Sequence, residues 1–123
     1  MQEIRILLVD DEEEFIETLA ERIRIRGCVV DISFSGEEAL ARLKETVPDA
    51  MVLDLKMPGM DGMDVLRQVT KGPSPIPVVI LTGHGSDKDR VEALRLGAFA
   101  YLQKPVDVEL LLEHVRRACS SRA

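Results

Sequence analysis

The sequence predicts an α/β fold in which one parallel five-stranded sheet is covered by helices on both faces. Short apolar runs alternate with longer amphipathic segments five times along the 123 residues. The second to fourth apolar runs are nearly continuous, which is typical of strands buried on both faces. Strands that alternate with helices in this way imply parallel strands joined by crossover helices. The length suits one domain with one core, which we place at residues 1–123.

The first half of the chain supplies three predicted strands and two predicted helices. The strands are Ile4–Val9, Cys28–Ser33 and Ala50–Leu53. The helices are Glu13–Arg26 and Gly36–Glu45. Gly27 is a stop signal for the first helix, and Ser35 with Glu38 forms a predicted capping box at the start of the second.

The second half continues the alternation with two strands and three helices. The strands are Pro77–Leu81 and Phe99–Leu102. The helices are Met63–Thr70, Asp87–Leu96 and Val106–Ala118. Pro77 stands at the first position of its strand, where proline is tolerated, and Gly97 ends the helix before the fifth strand.

The composition limits the classes of function. Hydrophobic residues make up 46% and aromatic residues 3%, so the core is expected to be aliphatic. Sixteen basic and 22 acidic residues give a net charge of −6, which argues against direct nucleic-acid binding. Cys28 and Cys119 have neither disulfide-framework nor metal-ligand spacing. No segment resembles a signal peptide or a membrane span, so we expect a soluble, cytoplasmic protein without a membrane partner.

Chemically active side chains follow the predicted strands at their carboxyl ends, where sheets of this kind bind ligands. Asp10 and Asp11 follow the first strand, and Asp54 follows the third. Thr82 follows the fourth strand, and Lys104 comes shortly after the fifth. If the first and third strands are neighbours, three carboxylates converge and need a compensating positive charge. Mg²⁺ prefers oxygen ligands, so we predict a magnesium site there.

Four motifs carry these side chains: VDD at 9–11, LDLKMPGMDG at 53–62, LTG at 81–83 and YLQKP at 101–105. In their order and spacing they resemble the receiver domains of bacterial two-component response regulators, along essentially the whole chain. Each motif alone is weak, but the combination is specific. The resemblance implies a flavodoxin-like three-layer sandwich with strand order 2-1-3-4-5.

The resemblance also implies roles for individual residues. Asp54 would accept a phosphoryl group from the phosphohistidine of a sensor histidine kinase or a phosphotransfer domain. Asp11, Asp54 and the backbone carbonyl of Lys56 would bind Mg²⁺ directly, and Asp10 would bind it through a water molecule. Thr82 and Lys104 would hold the phosphoryl oxygens, and Tyr101 would be the aromatic switch residue. Gly83 would leave room beside the Thr82 hydroxyl, and the bond before Pro105 would be cis.

Plainer interpretations of the same residues stay open. Asp10 and Asp11 also suit an acidic helix N-cap, and Glu12–Glu14 suit a solvated helix face. Asp54 could be an ordinary acid at a strand end, and Thr82 an ordinary strand residue. Tyr101 could be a fixed aromatic residue packed on the last helix.

Two surfaces are candidates for partner binding. The first helix carries four residues on the flank where family members dock a kinase: Glu14, Phe15, Thr18 and Arg22. Phe15 also suits core packing. Family members often dimerise or contact targets through the fourth helix, fifth strand and fifth helix, so a homodimer is an option there. Candidate residues on that surface are Arg90, Glu92, Arg95, Gln103 and Arg116.

Lys56 and His84 flank the expected route of a water molecule that would attack the phosphorylated Asp54. Neither is an acid or an amide, so we expect slow self-dephosphorylation, unless both are simply exposed loop residues. We expect a signalling module rather than an enzyme. An aspartyl phosphatase needs an acid where Lys56 stands, and an FMN carrier needs a phosphate-binding loop where residues 10–14 are acidic. A module that is never phosphorylated conflicts with the complete set of signature residues. Both a stand-alone receiver and part of a longer regulator stay open.

Overall fold

The structure, a computed structural model, describes residues 3–121 and contains a five-stranded parallel sheet flanked by helices. The strands are β1 (Arg5–Val9), β2 (Val29–Ser33), β3 (Ala50–Leu53), β4 (Val78–Thr82) and β5 (Ala100–Gln103). The helices are α1 (Glu13–Ile25), α2 (Gly36–Leu43), α3 (Gly62–Lys71), α4 (Asp87–Arg95) and α5 (Val108–Ser120). The strand order is β2-β1-β3-β4-β5, which confirms the predicted fold class and order. The predicted domain limits, residues 1 and 123, lie outside the described residues.

The predicted elements are all present, and the differences lie at their ends. Helix α5 starts at Val108 rather than at residue 106, because the Asp107 side chain accepts a hydrogen bond from the Glu109 N–H and caps the helix. At α2, Ser35 Oγ accepts from the Glu38 N–H, but the return bond of the predicted capping box is missing. The complete capping box forms at α4 instead, between Ser86 and Asp89.

The core has two layers, one on each face of the sheet. Every residue of β3 and β4 is buried, which explains why these strands read as continuous apolar runs. Along β1, Leu8 faces the layer that includes residues of α1 and α5, whereas Leu7 faces the layer under α2, α3 and α4. The predicted aliphatic core is thereby confirmed. Within the described residues, no helix is both long and apolar enough to cross a bilayer.

Strand register brings the carboxyl ends of the strands together at one edge of the sheet. Val9 of β1 pairs with Ser33 of β2 and with Leu53 of β3. The Asp54 N–H therefore continues the ladder and donates to the Val9 carbonyl at 3.0 Å. On the other side, the Lys104 N–H donates to the Thr82 carbonyl at 2.9 Å. The predicted site residues thus leave their strands at the same level.

Candidate functional site

Three carboxylates meet where β1 and β3 end, but they are not the three that were predicted. Asp10, Glu12 and Asp54 each place one oxygen within 4.8 Å of the others. The side chains of Asp10 and Asp54 are 2% and 4% exposed, whereas that of Glu12 is 58% exposed. Asp11 is half-buried and does not belong to this group, so its role as a direct metal ligand stays a prediction.

A turn after β1 explains why Glu12 joins the group. Asp10 Oδ1 accepts a hydrogen bond from the Glu12 N–H at 2.9 Å, an Asx-type turn that folds the chain back two residues after the strand. Glu12 then occupies the N-cap position of α1 without a side-chain capping bond. The interpretation of Asp10 and Asp11 as a helix N-cap is therefore wrong.

Lys104 is the positive charge at the centre of the acidic group. Its ammonium lies 2.7 Å from Asp10 Oδ2, 2.5 Å from Glu12 Oε1 and 3.6 Å from Asp54 Oδ2. The side chain is only 12% exposed, and its ammonium lies 4.4 Å from the centre of the Phe15 ring. Burial by itself lowers the pKa of Lys104, but the hydrogen bonds to Asp10 and Glu12 outweigh it, so the pKa is raised. Lys104 is therefore a permanent cation at neutral pH.

The pKa values of Asp10 and Glu12 are shifted in opposite directions. Burial raises the pKa of Asp10, although the bonds from Lys104 and from the Glu12 N–H partly offset the effect. Glu12 is more exposed, and its hydrogen bond with Lys104 lowers its pKa. Closely spaced, largely buried carboxylate oxygens form the kind of donor set that a hard divalent cation prefers. The group can therefore bind a metal ion, with the Asp54 carboxylate also fixed by the Lys56 N–H at 3.2 Å.

Thr82 and Tyr101 occupy the neighbouring strand ends. Thr82 is fully buried, and its hydroxyl lies 3.5 Å from the His84 N–H. The Tyr101 ring packs on the core layer under α2, α3 and α4, so the alternative in which it packs on the last helix is wrong. Its hydroxyl is buried without a hydrogen-bond partner, and burial raises its pKa. The bond between Lys104 and Pro105 is cis, as expected.

Gly85 is a second glycine that lies close to the Thr82 side chain. A Cβ atom on Gly83 would touch the Lys104 side chain at 3.6 Å, whereas one on Gly85 would lie 2.9 Å from the Thr82 methyl carbon. Gly85 therefore leaves room at the Thr82 methyl group, and the expectation that Gly83 leaves room beside the Thr82 hydroxyl stays a prediction.

The two basic residues near Asp54 have different surroundings. The Lys56 ammonium pairs with Asp89 Oδ2 at 3.3 Å, which links the loop after β3 to the first turn of α4. His84 is exposed and close enough to Glu12 to contribute to its lowered pKa. Neither residue supplies a carboxylate or an amide near Asp54.

The predicted docking residues fall into two groups. Phe15, Thr18 and Arg22 line one groove with Pro105 and the start of α5, and its volume is about 250 Å³. Glu14 lines a second depression on α1, together with Glu17, Glu21 and Arg24, and Thr18 borders both. The core-packing interpretation of Phe15 is confirmed, because the half-buried ring packs on the core and also covers Lys104, whereas its docking role stays a prediction.

Comparisons with known proteins agree with this geometry. A family model described as the response regulator receiver domain matches residues 6–116. The chain belongs to this family. A crystal structure of a CheY-like receiver domain protein from Methanospirillum hungatei JF-1 superposes with a TM-score of 0.91 and 28% identity, covering 98% of this chain and 96% of that one. The crystal structure of FixJ-N gives a TM-score of 0.90 at 32% identity, covering 100% and 98%.

Relatives of known name point to the same signalling system. The response regulator MprA of Mycobacterium ulcerans is 39% identical over 113 residues, and MprA of Mycobacterium tuberculosis is equally similar. These matches cover 92% of this chain but 49% of each relative, so the chain spans about half the length of the relatives it matches. The chain is a receiver domain of two-component signal transduction.

Proposed function

We propose that Asp54 is the phosphoryl acceptor of this receiver domain. A carboxylate oxygen of Asp54 attacks the phosphorus of a phosphohistidine, the phosphorus–nitrogen bond breaks, and the imidazole of the donor leaves. The observation that carries the proposal is the placement of Asp54: it is 4% exposed at the end of a central strand, with the Lys104 ammonium 3.6 Å away. An acid buried beside a fixed cation suits an attack on another anion.

We further propose that the acidic group holds Mg²⁺. Asp54 and Asp11 would be direct ligands with the carbonyl of Lys56, and Asp10 would act through a water molecule. Glu12 is an additional candidate, since its carboxylate lies within the observed group. The bound ion would offset the repulsion between the Asp54 carboxylate and the incoming phosphoryl group.

The residues around Asp54 would hold the phosphoryl oxygens and transmit the change to the surface. Lys104, already charged and oriented by Asp10 and Glu12, is positioned to move to a phosphoryl oxygen. The Thr82 hydroxyl is positioned to donate to a second oxygen. Tyr101 and Thr82 both border Gly85, and Tyr101 would transmit the change to the surface formed by α4, β5 and α5.

The donor is proposed to be a sensor histidine kinase or a phosphotransfer domain. The groove lined by Phe15, Thr18 and Arg22 opens beside Lys104 and Pro105, so a helix docked there would bring its histidine close to Asp54. Aromatic side chains at the rim of a site are typical anchors of interfaces. Glu14 faces a different depression and would contribute less.

The output is proposed to be a binding event rather than turnover of a substrate. Val91 and Leu94 of α4 are 58% and 40% exposed, which supports homodimer formation through the α4–β5–α5 surface. The domain would act on itself, with slow loss of the phosphoryl group, and would not be an enzyme in the usual sense.

The test is incubation with acetyl phosphate with and without Mg²⁺, followed by intact mass measurement. The mass should rise by one phosphoryl group only when Mg²⁺ is present. The Asp54→Asn variant should not gain mass, whereas Asp64→Asn, an exposed acid paired with Arg67, should behave as the wild type. A mass gain in Asp54→Asn, or none in the wild type, would refute the proposal.

A further inference from the structure

Gly85 lies where the Tyr101 side chain comes closest to the loop between β4 and α4. A Cβ atom built on Gly85 would fall 1.4 Å from the Tyr101 hydroxyl oxygen and 2.7 Å from Cζ. It would also lie 2.9 Å from the methyl carbon of Thr82. Non-bonded heavy atoms prefer separations of about 3.5–4 Å, so a side chain at residue 85 and the observed ring position exclude each other.

We propose that Gly85 is a positioning residue for Tyr101. Its missing side chain provides the space that the phenol hydroxyl occupies, and any larger residue there would turn the ring outward toward the α4–β5–α5 surface. The steric relationship is independent of function, while its regulatory meaning rests on the proposed function. The Gly85→Ala variant of this chain would thus hold Tyr101 outward and present a different output surface.

Apolar packing, rather than a hydrogen bond, keeps the Tyr101 ring in its observed position. The Tyr101 hydroxyl is buried but has no hydrogen-bond partner, so burial of this polar group opposes the observed position. The Gln103 side chain reaches the Gly85 carbonyl at 3.5 Å, a weak contact at the limit of hydrogen-bond length. Since nothing polar anchors the ring, its position is sensitive to the volume available at residue 85.

The backbone at residue 85 allows a clean substitution. Only Gly27, Gly59 and Gly97 have positive φ angles among the glycines of the described residues, so Gly85 is not in the left-handed region. Alanine can adopt its conformation, and the Gly85→Ala variant therefore adds a Cβ atom without adding backbone strain.

The single tyrosine of the chain allows a fluorescence test of where the Tyr101 ring lies. The chain has one tyrosine and no tryptophan, so its intrinsic fluorescence reports on Tyr101 alone. In Gly85→Ala the acrylamide quenching constant should rise severalfold, because the ring becomes exposed. Gly83→Ala is the matched control in the same loop, since its Cβ would make only ordinary contacts of 3.6 and 3.8 Å with Lys104. Its quenching constant should equal that of the wild type.

Unchanged quenching in Gly85→Ala, or an equal rise in Gly83→Ala, would overturn the proposal. If Gly85→Ala does not fold, the substitution is repeated in a Tyr101→Leu background, which removes the phenol atoms that clash and leaves the contact with the Thr82 methyl carbon. Gly85→Ala should then fold, with only the small loss of stability expected from the 2.9 Å contact with the Thr82 methyl carbon, and a protein that still does not fold would overturn the proposal. Phosphorylation by acetyl phosphate is measured separately: a wild type that gains no mass would refute the proposed function and leave the quenching result standing.

Discussion

The Glu12 carboxylate accepts a hydrogen bond from the Lys104 ammonium at 2.5 Å, across 92 residues of sequence. The bond joins the start of α1 to the residue after β5, beside the buried carboxylates of Asp10 and Asp54. It gives Glu12 two roles that act against each other. Its negative charge helps to attract a metal ion, and it also competes with a phosphoryl group for the same lysine.

Replacing Glu12 by Gln should weaken Mg²⁺ binding. One negative charge a few ångströms from the ion is worth about 1 kcal/mol in a hydrated setting, so the dissociation constant should rise about fivefold. Titration calorimetry measures the change. Glu13→Gln removes the same charge from the exposed first turn of α1 and should have little effect. Equal effects of the two substitutions would mean that only the overall charge matters.

Replacing Asp54 by Asn should stabilise the protein in magnesium-free buffer. The Asp54 carboxylate is 4% exposed, and its negative charge is one of the causes that raise the pKa of Asp10. The two carboxylates therefore repel each other in a largely buried setting. Asn keeps an oxygen that can accept from the Lys56 N–H and removes the charge. We expect a gain of about 1 kcal/mol in the free energy of unfolding, measured by urea denaturation.

Addition of Mg²⁺ is the control for the comparison of Asp54→Asn with the wild type. Mg²⁺ should stabilise the wild type, because an ion that binds only the folded state raises the free energy of unfolding. In Asp54→Asn this stabilisation should be much smaller. A variant that is less stable than the wild type without Mg²⁺ would show that Lys104 already compensates the charge of Asp54 in full.

The Lys56→Asn variant should lose its phosphoryl group faster than the wild type. An amide beside Asp54 can orient an attacking water molecule, whereas the Lys56 ammonium is engaged with Asp89 at 3.3 Å. We expect the wild-type phosphoryl state to last well beyond seconds and the variant to decay severalfold faster, as followed by intact mass over time. Asp89→Ala breaks the same ion pair but keeps Lys56, so its decay should stay slow. An unchanged rate in Lys56→Asn would remove the hypothesis.

The sequence predicted those site residues whose positions depend on strand register. Asp10, Asp54 and Lys104 directly follow strands, and parallel strands end at a common edge, so the apolar runs placed them at that edge. The strand order that makes β1 and β3 neighbours was implied by the family resemblance. Glu12 was missed because its position depends on the turn made by the Asp10 side chain. Gly85 was missed for a different reason: its role depends on where the Tyr101 ring packs, which no local pattern encodes.

Replacing Gly62 by Ala should destabilise the loop that carries Lys56. A Cβ on Gly62 would lie 2.6 Å from the Leu55 Cα and 2.9 Å from the Asp54 carbonyl oxygen, both backbone atoms that cannot turn aside. Alanine normally favours a helix over glycine, so a loss of stability here would isolate the clash. We expect a loss of about 1–3 kcal/mol in urea denaturation, and a stability equal to that of Gly83→Ala would contradict it.

Replacing Asp89 by Ala should destabilise α4 in a pH-dependent way. The Ser86 N–H, with help from Lys56, lowers the pKa of Asp89 below its usual 3.8. Its stabilisation is therefore complete above pH 3.8 and is lost as the pH falls through the lowered value in the folded state. We expect a loss of about 1 kcal/mol at neutral pH, typical of a lost helix cap.

Urea denaturation at decreasing pH measures the effect, and the stabilities of Asp89→Ala and the wild type should converge as the pH falls. The control is Asp87→Ala, which removes an exposed acid in the same turn and should differ little from the wild type at neutral pH. A difference for Asp89→Ala that stays constant into acid would mean that the uncharged carboxyl caps the helix equally well.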